Sequence, residues 1–260
     1  MHFNKSNFLF FIFLIGQLTC QDISIAKIAD EAVVAYVHQE LEKSLGKIEQ
    51  LPQISILQEK NLQAWALSRT NHLFLGLPYE TLIYGILERQ SCIEIILDAY
   101  TLRIPRECAV LIVRNMLLHE MGHLVHKHYG VSTVDGEIIA DEYSACEFES
   151  IMGGIIMYRL ENIRWQAGQK GDMQRGHFIY MAHYGDNRTH PSPYEREEFF
   201  RKKLEEYITK DSSYQIEYER LIEYANQIEI EIASHSSGII HVTNIFKHDM
   251  FAYIKSFFVA

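Results

Sequence analysis

The sequence predicts an α+β domain, helix-rich with a small sheet. Three observations carry this. Apolar residues recur at three- and four-residue spacing over much of the chain, and two short apolar runs lie early between turn residues. No internal repeat or Pro/Gly/Ser linker divides the sequence, and 260 residues with 48% hydrophobic content suffice for one core.

Taken in order, residues 1–20 read as a secretion signal: His2 and Lys5 precede the apolar run Phe8 to Gly16, which is short for a bilayer span. Cys20 invites comparison with a lipidation site, but Leu18 stands one place too close for the usual bacterial lipobox. The expected location is therefore periplasmic or secreted without a lipid anchor, and residues 21–260 form one domain with a helical C-terminal part. Apolar positions from Ile28 to Leu45 predict an amphipathic helix over Ile25 to Ile48. Gln53 to Leu57 and Asn71 to Leu75 read as strands, with Gly76 and Pro78 as turn residues. Ser91 to Leu102 fits strand or helix, and Pro105 breaks the chain before the next element. A helix is expected from Arg106 to His128, stopped by Gly130, and a second long one from near Asp135 towards Trp165. A loop around Gly185 to Pro193 and a polar-faced helix from Ser213 to Ala233 complete the layout. After the signal, no segment reads as a clean membrane span; Ile151 to Tyr158 is apolar but closed by Arg159.

Composition excludes some functions. The formal net charge is −10 without a dense basic block, which argues against nucleic acid as partner. Cys92, Cys108 and Cys146 would follow a cleaved signal, and an odd number indicates no disulfide framework, although Cys108 with Cys146 is a conceivable pair.

The chemistry concentrates in His119-Glu120-Met121-Gly122-His123. On a helix, residues i and i+4 share a face, so both imidazoles can reach one metal ion while Glu120 leans over its open position as general base. Glu137-Ile138-Ile139-Ala140-Asp141 follows at the start of the next expected helix. A carboxylate from a second helix supplies the third ligand of a His₂Glu zinc site, and Asp141, one turn on, can hydrogen-bond a ligand imidazole. Zn²⁺ is the expected cofactor, held by His119, His123 and Glu137. His126 returns to the face of His119 two turns along, out of reach of the same ion, and His128 is expected to pack at the helix end. In Thr189-His190-Pro191-Ser192-Pro193-Tyr194-Glu195-Arg196, Ser192 reads as an N-cap and Pro193 as a first helical residue. His190 or Arg196 could reach back to stabilise a developing oxyanion, with Tyr184 and Tyr194 as weaker candidates.

HExxHxxxxH (His119 to His128), ExxAD (Glu137 to Asp141) and THPSxxxR (Thr189 to Arg196) in this order resemble metallopeptidase family forty-eight, the gluzincins that include the CAAX prenyl proteases and HtpX-like and periplasmic quality-control peptidases. Asn61 to Leu77 is similar to the segment in that family whose strand edges the cleft and pairs with substrate backbone. The resemblance spans about Asn61 to Arg201, without the family's membrane spans. It implies a zincin-like domain and a zinc endopeptidase acting on protein or peptide substrates. His119, His123 and Glu137 would be ligands, Glu120 the base and Asp141 a partner of the ligands. His190 and Arg196 would face the cleft, and Asn71 to Leu75 would be the substrate-pairing edge. Thirteen residues separate His123 from Glu137, fewer than many members have, and the Lit-type phage-exclusion peptidases are also possible relatives. A catalytically silent, zinc-stabilised protein-binding or chaperone-like module remains the alternative.

Overall fold

The computed structural model describes residues 26–59, 62–97, 100–127, 133–167, 190–210 and 232–234. The secretion signal, Cys20, His128, Gly130, Tyr184, Thr189 and most of the Gly185 to Pro193 and Ser213 to Ala233 segments lie outside these residues. The architecture is α+β, with two small sheets against a set of helices.

The chain enters through strand β1 (Ala26–Ile28) before helix α1 (Glu31–Leu45), where the sequence predicts one continuous helix. Asp30 causes the break: its carboxylate accepts from Val33 N at 2.9 Å and fixes the helix start. Gly46, at φ 76, ends α1 in the left-handed region that glycine enters without steric cost. Strands β2 (Gln53–Leu57), β3 (Ala64–Leu67) and β4 (His72–Gly76) complete the first sheet, in the order β1-β2-β4-β3. β2 and β4 run parallel, whereas β1 pairs antiparallel with β2 and β3 antiparallel with β4.

This order corrects one expectation. The predicted strand near Asn71 to Leu75 is β4, which lies inside the sheet, and β3 forms the edge. Gly76 N donates to Gln63 O at 2.9 Å, and Ala64 pairs with Leu75 and Ala66 with Leu73. In this antiparallel register Gln63, Trp65 and Leu67 turn their backbone groups towards β4, so Ala64 and Ala66 direct theirs outward from the edge.

Gly76 leads directly into helix α2 (Leu77–Leu87), with Pro78 in its first turn. The ambiguous Ser91 to Leu102 stretch resolves as antiparallel strands β5 (Cys92–Leu97) and β6 (Tyr100–Pro105). Strand β7 (Ile232–Ser234) extends that second sheet beside β6, at a place where the sequence predicts the end of a helix.

Helix α3 (Arg106–Val125) is the central element, buried along most of its length and packed against β3, α2 and the helices that follow. By length and composition it could cross a bilayer, but 83% of its most apolar window is buried inside the protein. The single long helix expected after Asp135 is two: α4 (Val134–Ser144), capped by the Thr133 hydroxyl on Gly136 N at 3.1 Å, and α5 (Phe148–Ala167). Helix α6 (Pro193–Lys210) begins with the expected cap, Ser192 Oγ accepting from Glu195 N at 3.2 Å while Glu195 Oε2 accepts from Ser192 N at 2.7 Å.

Glycines set the helix spacing at two crossings. A Cβ on Gly153 of α5 would collide with the Leu111 carbonyl of α3, and one on Gly122 of α3 would stand 2.9 Å from Ala140 Cα of α4. Cys92, Cys108 and Cys146 are all free thiols, so the conceivable Cys108–Cys146 disulfide is not formed. Cys108 is buried and its thiol is pushed up to about 12 by burial and then by Glu107.

Candidate metal centre

His119 and His123 stand one turn apart on α3, and the close α3–α4 crossing at Gly122 brings Glu137 opposite them. His119 Nε2 lies 3.1 Å from His123 Nε2 and 3.2 Å from Glu137 Oε2, and His123 Nε2 lies 3.4 Å from Glu137 Oε1. A tetrahedral ion with arms of about 2.0–2.1 Å needs donors roughly 3.3 Å apart. The two imidazole nitrogens meet that spacing, while Glu137 turns a different carboxylate oxygen to each, and one donor atom from each residue lies within 4.8 Å of the others. The three residues form a group that can hold a metal ion, with His119 and Glu137 buried and His123 half-buried.

Charge balance points the same way. With neutral imidazoles, the buried carboxylates of Glu120, Glu137 and Asp141 against the guanidinium of Arg196 leave a net charge of −2. A divalent cation offsets that charge where water cannot. In its absence His119 takes up the role. Burial and Arg196 push the His119 pKa down, but hydrogen bonds to Asp141 and Glu137 outweigh them and raise it to about 9. Burial opposes ionisation of Glu137, yet the hydrogen bonds from His119, His123 and His190 hold it well below the usual carboxylate range.

Around these donors lies a second set of contacts. His119 Nδ1 donates to Asp141 Oδ1 at 2.9 Å, which leaves Nε2 facing His123 and Glu137. Arg196 grips Asp141 from the side, with Nη2 at 2.6 Å from Oδ1 and Nε at 2.8 Å from Oδ2. Arg196 is 5% exposed and also reaches the donor residues, with Nη2 3.1 Å from His119 Nδ1 and Nη1 3.7 Å from Glu137 Oε2. His190, half-buried, places Nε2 at 3.2 Å from Glu137 Oε1. Tyr194 is exposed on the outer side of α6.

Glu120 is buried on α3 between the two histidines, and among the described residues no hydrogen bond holds its carboxylate. Burial raises its pKa, partly countered by His119 and His123. His126, at the end of α3, sits edge-on to Tyr143 with ring centroids 6.1 Å apart and is not part of the donor group.

Two contributors escaped the motifs. Ser68, just beyond β3, donates through Oγ to His123 O at 3.1 Å and ties the sheet edge to the ligand helix. Tyr158 of α5 lies against Arg196 and Asp141. No spacing rule marks either, because both reach the site from elements distant in sequence. No protein-family model, no curated protein and no solved structure matches this chain.

Proposed function

We propose that this chain is an exported zinc-dependent endopeptidase of the gluzincin type, with a zincin-like domain, that hydrolyses peptide bonds in extended or unfolded protein segments. The observation that carries this reading is the Glu120 carboxylate, held by no hydrogen bond among the described residues, beside the His119, His123, Glu137 group that can hold a metal ion. A site serving only to brace the fold has no use for that base.

Zinc, when bound, supplies Lewis acidity that polarises the scissile carbonyl and makes water acidic near neutral pH. The chain's own groups do the rest. Glu120 takes the proton from the attacking water at its carboxylate and delivers it to the leaving amine nitrogen. His190 Nε2, beside Glu137, donates towards the negative charge that develops on the carbonyl oxygen. Asp141 holds the Nδ1 proton of His119 and so keeps Nε2 free for the metal.

Substrate binding is assigned to the edge of β3. The outward N–H and C=O groups of Ala64 and Ala66 can pair with an extended backbone, while Ser68 fixes that edge beside His123. Backbone pairing favours extended over folded substrates.

Zinc content and cleavage of unfolded casein by the wild type and Glu120→Gln test the reading. Zinc in both, with cleavage only by the wild type, is the expected result. Equal cleavage by both removes Glu120 from the mechanism, and absence of zinc from both removes the metal centre.

A further inference from the structure

None of the three motifs includes Tyr158, yet it touches both groups that orient His119. It is buried at 1% exposure, and its hydroxyl donates to Asp141 Oδ1 at 3.4 Å. The Arg196 guanidinium carbon sits 4.1 Å above the centre of its ring. The ring also stacks on Phe200 of α6, at 5.7 Å between centroids and 17° between planes.

We infer that Tyr158 is a positioning residue of the metal centre: its ring face seats Arg196, its hydroxyl braces Asp141, and together they fix the His119 imidazole. This rests on the reading of His119, His123 and Glu137 as a metal site. The physical need is specific. Arg196 is stripped of water and uses the edge of its guanidinium on Asp141. That leaves its flat face to be covered, and an aromatic ring covers a guanidinium face with favourable electrostatics where an aliphatic side chain gives contact alone.

Asp141 Oδ1 in turn receives His119 Nδ1 at 2.9 Å, Arg196 Nη2 at 2.6 Å and the Tyr158 hydroxyl at 3.4 Å. Those donors come from α3, α6 and α5, while Asp141 itself lies on α4. Four helices thus converge on one carboxylate whose orientation sets which nitrogen of His119 carries the proton. Removing the ring releases Arg196, lets Asp141 turn, and loosens a ligand that Tyr158 never touches. A plain core aromatic would instead answer only to volume.

The test uses the full chain with Tyr158→Phe, which keeps the ring face, and Tyr158→Leu, which removes it. Zinc dissociation constants come from competition with a chromophoric chelator, and the visible absorption of the Co²⁺-loaded proteins reports ligand geometry. Tyr158→Leu is expected to weaken zinc binding about 10- to 100-fold, as loss of an outer-shell partner does, and to alter the Co²⁺ bands. Tyr158→Phe should stay within about threefold of wild type, because the hydroxyl contact is long. A folded Tyr158→Leu protein with wild-type zinc affinity and an unchanged Co²⁺ spectrum overturns the inference. Should Tyr158→Leu fail to fold, Tyr158→Met decides: its flexible side chain fills the space without an aromatic face, so unchanged zinc affinity overturns the inference and about tenfold weaker binding supports it. A wild-type protein that takes up neither Zn²⁺ nor Co²⁺ overturns the underlying metal site, a result distinct from any difference between variants.

Discussion

The proton on His119 is where metal and protein compete. Its pKa in the metal-free fold stands at about 9, above the ordinary value of 6.5. The stability it contributes to the metal-free protein is therefore fully present below about pH 6.5 and lost as pH rises through about 9. Zinc needs the neutral imidazole, so its binding has the opposite sign. Apparent zinc affinity should fall about tenfold for each pH unit below 9, with release of one proton on binding. Competition titrations between pH 6.5 and 9, with calorimetry in two buffers of different ionisation enthalpy, measure both. An affinity flat across that range would contradict the proton's assignment to His119. The pair His119 and His123 was legible in the sequence because a four-residue spacing on a helix is local geometry. The engagement of Arg196 with Asp141 was not, since 55 residues separate them and only the packing of α6 on α5 closes the gap.

Among the elements, the α3–α4 crossing governs the site. Gly122→Ala places a methyl group 2.9 Å from Ala140 Cα and 3.0 Å from Tyr143 Cβ, and backbone cannot give way as a flexible side chain does. The substitution should cost about 1–3 kcal/mol of stability and move Glu137 away from the histidines. Chemical denaturation and zinc affinity should both register it; unchanged zinc binding would mean that α4 adapts without moving its ligand. The β3 edge makes a separate prediction. Ala66→Pro removes one outward N–H while sparing the ladder to β4, a setting in which an edge proline is tolerated. With one substrate hydrogen bond worth about 1 kcal/mol, KM for an extended peptide should rise roughly fivefold or more with little change in zinc content or Tm. An unaltered KM would exclude that edge as the substrate track.

For the whole molecule, ion pairs around one buried arginine join three helices. Arg114 of α3 is 2% exposed, hydrogen-bonds Glu40 of α1 through Nε at 3.0 Å and Nη2 at 2.7 Å, and forms ion pairs with Glu147 at 3.7 Å and with Glu149. Arg114→Met leaves Glu40 with little water and no cation, and should destabilise the fold by about 3 kcal/mol. Zinc affinity well below the melting temperature should be unchanged, because none of these residues belongs to the donor set. A drop in zinc affinity in the folded variant would show that α1 and α5 hold the centre through α3.

By itself the sequence determined the parts governed by neighbours along the chain. These are the helical pairing of His119 and His123, the carboxylates Glu137 and Asp141 one turn apart, the Ser192 cap with Pro193, and strands β2 and β4. Each depends on period or capping chemistry within a few residues. Only the tertiary structure decided that β3 and not β4 is the edge and that Ala26–Ile28 pairs as a strand with β2. The same holds for the break of the later helix near Ala145, the burial of Arg196 on Asp141, and the presence of Tyr158 beneath it. The reason is physical: strand order, helix crossings and the cover over a buried guanidinium are set by which surfaces pack together, and close approaches such as that at Gly122 write no periodic signal into either helix.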